Sequence, residues 1–120
     1  TYYVSVNGNN SNNGLTPATA FATLQHAADE VGAGDSVFVF NGTYVGFDIR
    51  TDGTQSNQIT FKAESENVII NQRNIITPDG INIENANWII IDGFTVIDQQ
   101  RAGIRIVLSD NVKIKNNIYN

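Results

Sequence analysis

Short β-type runs return along this chain at a near-constant interval, and that repetition restricts the fold more than any other feature of its 120 residues. Gly80-Ile81-Asn82-Ile83 matches Gly103-Ile104-Arg105-Ile106 at an offset of 23. Asn87-Trp88-Ile89-Ile90-Ile91-Asp92-Gly93-Phe94 matches Asn111-Val112-Lys113-Ile114-Lys115-Asn116-Asn117-Ile118 at an offset of 24, and a weaker copy, Val68-Ile69-Ile70-Asn71, resembles Ile89-Ile90-Ile91-Asp92 at an offset of 21. A period of roughly 21 to 24 residues belongs to solenoids. Leucine-rich repeats share it, but they need Leu at fixed positions and a helical segment, whereas this chain has Ile and Val in two or three short strands per period.

A coil of parallel strands follows from that pattern. It places Ile81 and Ile83 beneath Ile104 and Ile106, stacked inward, with Asn82 and Arg105 alternating outward. Asn71, Asp92 and Asn116 fall where one strand bends into the next, and stacked amides there satisfy one another's hydrogen bonds. Further strands are predicted at Tyr2 to Val6, Val37 to Phe40, Phe47 to Arg50, Ile59 to Lys62, Trp88 to Ile91 and Phe94 to Ile97. Asn beside Gly, as in Asn12-Asn13-Gly14 and Asn41-Gly42, marks tight turns, because Asn tolerates left-handed backbone.

One segment breaks the β pattern. Phe21, Leu24, Ala28 and Val31 recur at helical spacing, with Thr19 as the N-cap and Gly32 or Gly34 as the stop. The chain therefore divides into residues 1–36 (strand, loop and amphipathic helix) and residues 37–120 (coils) within a single domain. With 41% hydrophobic and 16% charged residues it is globular in composition, and its size makes stability depend on covering both ends of the core.

Composition also excludes partners. The net charge is −5, and the seven Lys and Arg form no cluster of the kind that neutralises phosphates, so nucleic acid is not expected. No apolar run approaches the roughly 18 residues of a membrane helix. Zero Cys rules out disulfides and thiolate chemistry. No leader pattern precedes Thr1, and Thr1-Tyr2-Tyr3-Val4 reads as a processed start or a cut boundary.

Three stretches carry a family resemblance: Tyr2-Tyr3-Val4-Ser5-Val6-Asn7-Gly8, the run from Asn13-Gly14-Leu15-Thr16-Pro17 through Phe21-Ala22-Thr23-Leu24-Gln25, and Gly34-Asp35-Ser36-Val37-Phe38-Val39 with Asn41-Gly42-Thr43-Tyr44. Together they resemble the opening segment of bacterial pectate-lyase-like β-helix proteins, and Ile59-Thr60-Phe61-Lys62-Ala63 and Ile90-Ile91-Asp92-Gly93-Phe94 are similar to its early coils. The resemblance implies an all-β, right-handed parallel β-helix of about three coils with one N-terminal capping helix. It further implies secretion and an acidic, uronate-containing polysaccharide as partner. Architecture alone does not fix activity.

Uronate lyases of that superfamily remove the proton alpha to a carboxylate, which takes a Lys or Arg base and a neutralising cation, often calcium. The outward candidates for binding such a substrate are Asn82 and Arg105 on one face and Lys113 and Lys115 on the next; alternation with apolar residues is equally what a solvated strand face shows. No residue stands out as the catalytic base. Asp48, Asp92, Asp98 and Asp110 belong to different turns, so no metal or other cofactor is evident in these coils, and calcium is expected only with a longer chain. The Asn7 to Gly14 loop lacks the carboxylates of a calcium loop and reads as a turn. His26 lies in the helix with no Ser or Asp placed for a triad. Trp88, Tyr2, Tyr3, Tyr44 and Tyr119 are candidates to stack on sugar rings, and Trp88 also suits packing at a coil edge. Asn9-Asn10-Ser11 and Asn41-Gly42-Thr43 are glycosylation sequons without meaning in a bacterial setting.

The expectation is thus the N-terminal scaffold and cap of a lyase-like protein, stopping in mid-coil, with the active site downstream. The alternatives are a module that self-associates through its open C-terminal coil, as a dimer or fibre, and a glycan-binding module using exposed aromatics.

Overall fold

The computed structural model describes residues 1–119, Tyr119 by its backbone alone; Asn120, and Tyr119 as a sugar-stacking side chain, lie outside the described residues. Twelve short strands and one helix follow in the order β1 (Tyr2–Val4), α1 (Leu24–Glu30), β2 (Ser36–Val39), β3 (Gly42–Val45), β4 (Phe47–Ile49), β5 (Ile59–Ala63), β6 (Val68–Gln72), β7 (Asp79–Glu84), β8 (Ile89–Asp92), β9 (Thr95–Val96), β10 (Ala102–Val107), β11 (Val112–Lys115) and β12 (Ile118–Tyr119). Strands adjacent in sequence go to different sheets. The three sheets run β1-β2-β5-β8-β11, β3-β6-β9-β12 and β4-β7-β10, so each strand pairs with its counterpart one coil away. Every pairing is parallel, and the product is a β-helix of about three coils.

Register fixes what stacks. Phe47, Ile81 and Ile104 form one inward column, Ile49, Ile83 and Ile106 another, and Val37, Phe61, Ile91 and Ile114 a third. The Phe47 and Phe61 rings lie 4.4 Å apart, stacked, with Phe94 at 6.5 Å from Phe47. All three rings are fully buried, as are Ile81, Ile83, Ile89 and Ile91, each contributing about 1.5–3 kcal/mol relative to exposure. A glycine column lies at the start of the three-stranded sheet: a Cβ on Gly46 would overlap the Gly80 carbonyl, and one on Gly80 would come within 2.7 Å of the Gly103 oxygen.

The corners recur with the coil. Asn85 and Leu108, Trp88 and Asn111, and Gly93 and Asn116 all have positive φ, and the residues of each pair stand one coil apart. Hydrogen bonds between equivalent corner positions keep the same spacing of 23 residues: Ser109 Oγ accepts from the Ala86 amide, and Asn117 Oδ1 from the Phe94 amide.

Several sequence-based expectations shift. The helix begins at Leu24, and its N-cap is Thr23, whose Oγ1 accepts from the His26 amide at 3.2 Å. Thr19 instead closes a one-turn 3-10 segment, Pro17–Thr19, capped by Thr16. Phe21 precedes the helix, bridged to Val4 as an extension of the coil. The last repeat aligns at 23, since Ile91 faces Ile114 and Asp92 faces Lys115; Asn116 therefore stands opposite Gly93. Val68–Gln72 joins the four-stranded sheet and pairs with β3 and β9, so it is not an earlier copy of Ile89–Asp92. Trp88 is a left-handed corner residue outside the strand.

Helix α1 covers the N-terminal end of the coils. It buries Leu24, Ala27 and Ala28, and Val31 follows them into the core. The Asn-rich loop holds the approach to the helix: Asn10 Oδ1 accepts from the Ala22 and Thr23 amides, and Asn12 Nδ2 donates to the Ala20 carbonyl. These bonds account for that loop as turn structure.

Candidate functional site

The outward face of the three-stranded sheet carries Asp48, Asn82 and Arg105 in register on β4, β7 and β10. Its next outward positions hold Arg50, just beyond β4, and Glu84. Arg50 grips Asp48 with Nε to Oδ2 at 2.9 Å and Nη2 to Oδ1 at 3.3 Å, and reaches Glu84 Oε2 with Nη1 at 3.4 Å. Asn82 donates to Asp48 Oδ1 at 2.7 Å and to Glu84 Oε1 at 3.1 Å. Arg105 Nη1 donates to Asn82 Oδ1 at 3.1 Å and to Glu84 Oε1 at 3.3 Å. Asn82 points out of the coil yet is wholly buried beneath these partners. The hydrogen bond from Asn82, together with the charges of Arg50 and Arg105, holds Glu84 below the usual carboxylate range despite some loss of hydration. Two carboxylates and two guanidiniums thus neutralise each other, and a guanidinium does not lose its proton in proteins. This face is an electrostatic seam between coils.

The five-stranded sheet is different. One outward column reads Tyr3, Phe38, Lys62, Asp92, Lys115 in register from β1 to β11, and beside it Ser36, Thr60, Ile90 and Lys113 form a second. Asp92 is shared by two ammonium groups, Lys62 Nζ at 3.3 Å and Lys115 Nζ at 3.9 Å, and accepts from Asn116 Nδ2 at 3.0 Å. Burial raises the Asp92 pKa, but the Asn116 and Lys62 hydrogen bonds and the two lysine charges prevail and hold it below the usual range. Lys62 and Lys115 remain about half exposed, at 51% and 49%.

Two hollows flank these cations. The larger, about 570 Å³, is lined by Tyr3, Phe38, Phe40 and Lys62 together with Thr1 and Ser36. Its rings form one cluster: Tyr3 stacks on Phe40 at 6.0 Å, and Phe38 meets both edge-on at 6.3 and 5.3 Å. The smaller, about 230 Å³, lies between Gln58, Trp88, Asn111 and Lys113.

Of the residues singled out from sequence, Asn82 and Arg105 belong to the self-paired seam, while Lys113 and Lys115 lie exposed on the other sheet. The structure does not bring the two pairs onto one face. His26 lies 3.8 Å from Glu30 and edge-on to Phe21 at 4.5 Å, a surface role on the helix. Tyr44 is buried, its hydroxyl donating to the Phe40 carbonyl at 2.7 Å. Sequence reasoning missed Lys62, Phe38 and Phe40. Only the strand register reveals them, because the first full coil is longer than the second: Asp48 and Asn82 face each other across 34 residues, Asn82 and Arg105 across 23. Among the described residues, no three His, Cys, Asp or Glu side chains stand together as a metal ion would require.

Comparison with known proteins agrees with this architecture. The chain is 33% identical over 129 aligned positions to a protein of Bacillus subtilis (strain 168) known as Uncharacterized protein YwoF; the match covers 96% of this chain and 27% of that protein's length. The sequence model of the family described as Pel9A-like, right handed beta helix region matches residues 2–120. The chain belongs to this Pel9A-like right-handed β-helix family, within the pectate-lyase-like superfamily.

Proposed function

We propose that these residues are the capped N-terminal scaffold of a secreted β-helix protein that binds and cleaves acidic polysaccharide by a lyase reaction, with its catalytic groups on other coils. The observation that carries the reading is the closed seam of Asp48, Arg50, Asn82, Glu84 and Arg105, in which charged groups are spent on one another. A base removing a proton alpha to a uronate carboxylate must be free to reach it, and a cation must be free to meet the carboxylate. The seam supplies neither, so its chemistry is that of scaffold. The family membership and the relative's greater length support the placement of catalysis elsewhere.

The test is to incubate the native gene product with polygalacturonate, alginate and chondroitin and follow the ultraviolet absorbance of the unsaturated uronate that elimination leaves. Absorbance growing with one polymer, and unchanged in rate by Arg105→Lys, supports the proposal. No product and no retention on any of the three polymers would sink it.

A further inference from the structure

We propose that the outward face of the five-stranded sheet is a binding strip for an anionic polysaccharide, running along the coil axis and made of two aromatic and lysine hollows. This rests on the proposed action on acidic polysaccharide and deepens it by assigning the face.

The first argument is charge. This face holds three ammonium groups, Lys62, Lys113 and Lys115, against the carboxylate of Asp92 and, just beyond β5, that of Glu64, in a chain whose net charge is −5. Arg50, Arg101 and Arg105 are each paired to carboxylates on other parts of the coil, whereas among the described residues neither Lys113 nor Arg73, just beyond β6, has a carboxylate within ion-pair distance. Three of the chain's seven cations gather on this one face, which favours the approach of an anionic ligand there.

The second argument is the pairing of ring and cation. In the larger hollow, Lys62 sits directly across from Phe38 in the neighbouring strand, beside Tyr3 and Phe40. In the smaller, Lys113 stands with Trp88. A uronate unit presents an apolar ring face and a carboxylate on its edge, so each hollow offers one surface to each part. Trp88 also keeps a left-handed backbone, φ 59°, where the next coil has Asn, a conformation a bulky residue adopts only when its surroundings impose it. Successive strands of a sheet stand about 4.8 Å apart, so β1 to β11 extends the strip over roughly 19 Å. A polymer, rather than a single sugar, fits that length.

The experiment is affinity electrophoresis of the native gene product through gels containing polygalacturonate, with fully methyl-esterified polygalacturonate and inorganic polyphosphate as separate matrices. The expected result is retardation by polygalacturonate, weaker retardation by the neutral ester and by the ringless polyphosphate, and loss of roughly tenfold in affinity in Lys113→Glu/Lys115→Glu. Trp88→Asn, with the residue the next coil already uses, should lose affinity with its thermal midpoint preserved. Arg73→Glu, an equal charge change off this sheet, should bind as the parent does. Equal loss in Arg73→Glu, equal retardation by polyphosphate, or unchanged binding by the double lysine variant would each overturn the strip. A native product that cleaves a uronate polymer yet binds it equally with and without the two lysines would leave the proposed function standing and remove this assignment alone.

Discussion

Asn82 Nδ2 donates to Asp48 Oδ1 across 2.7 Å, from one coil to the next, and both side chains are sealed from solvent although both point away from the apolar core. An amide is the group this position needs. It donates to two carboxylates and accepts from Arg105, so it links acids that would otherwise repel and joins them to a guanidinium.

Asn82→Ala should therefore cost about 2 kcal/mol, chiefly because the buried Asp48 loses a donor. Arg105→Ala should cost less, under about 1 kcal/mol, since Glu84 keeps Arg50 and the Arg105 side chain is already 31% exposed. Urea unfolding of the two variants should give that order; Arg105→Ala as the more damaging change would refute the role assigned to Asn82.

Asp79 and Arg101 form a second lock, with Arg101 Nη2 at 2.7 Å from Asp79 Oδ2 and the Ala102 amide donating to Asp79 Oδ1 at 3.1 Å. The Arg101 hydrogen bond leads in lowering the Asp79 pKa, against the opposing effect of burial, with Thr77 and the Ala102 amide assisting. A carboxylate whose folded pKa lies below its ordinary value of 3.8 lends stability that is present above that value and lost as pH falls through the lower folded value. Arg101→Gln should thus be clearly less stable than the parent at neutral pH, and the gap should close on acidification below about pH 4. Thermal midpoints across that range decide it, a gap that stays constant with pH being the adverse outcome.

The coil was legible because inward Ile81, Ile83, Ile104 and Ile106 alternate with polar residues at one repeat, and alternation and repeat are written in the sequence itself. Register was less so. Ile-rich runs look alike whichever sheet they join, which is why Val68–Gln72 resembles Ile89–Asp92 while lying in another sheet. Strand β3 lacks an apolar run, since Gly42-Thr43-Tyr44-Val45 buries only Tyr44, and it exists by pairing with β6. The helix cap moved because Phe21 spends its backbone on the coil, through bonds with Tyr3 and Ser5, and releases the chain for helix only after Thr23. The face where Lys62 meets Phe38 depends on that same long-range register, so no local motif announces it.

The first strand of the three-stranded sheet, β4, is an edge that the helix closes with one side chain. Gln25 Oε1 accepts from the Asp48 amide at 2.8 Å, and Gln25 Nε2 donates to the Asp48 carbonyl at 3.0 Å, so the side-chain amide imitates a neighbouring strand. An uncovered edge is a template for pairing with other chains. Gln25→Ala should lower stability by about 1–2 kcal/mol and increase thioflavin-positive aggregation on storage. Gln25→Glu should fare no better, because a carboxylate cannot donate to the Asp48 carbonyl. Aggregation no faster than the parent's in both variants would mean that the apolar side of the helix closes the edge unaided.

The repeating corners allow a prediction of opposite sign. Asn85 and Leu108 occupy equivalent corners one coil apart with nearly identical backbone, φ 50° and 51°. Left-handed geometry crowds the Cβ of most residues against the following carbonyl and costs them roughly 1–2 kcal/mol, while Asn bears it with less strain. Leu108 recovers little of that by packing, being 79% exposed. Exchanging the two residue types separates backbone strain from burial: Leu108→Asn should stabilise and Asn85→Leu destabilise, each by up to about 1 kcal/mol. If corner identity were set by contacts rather than by φ, Leu108→Asn would be neutral or harmful, and paired thermal unfolding of the two variants distinguishes the cases by the direction of the shift.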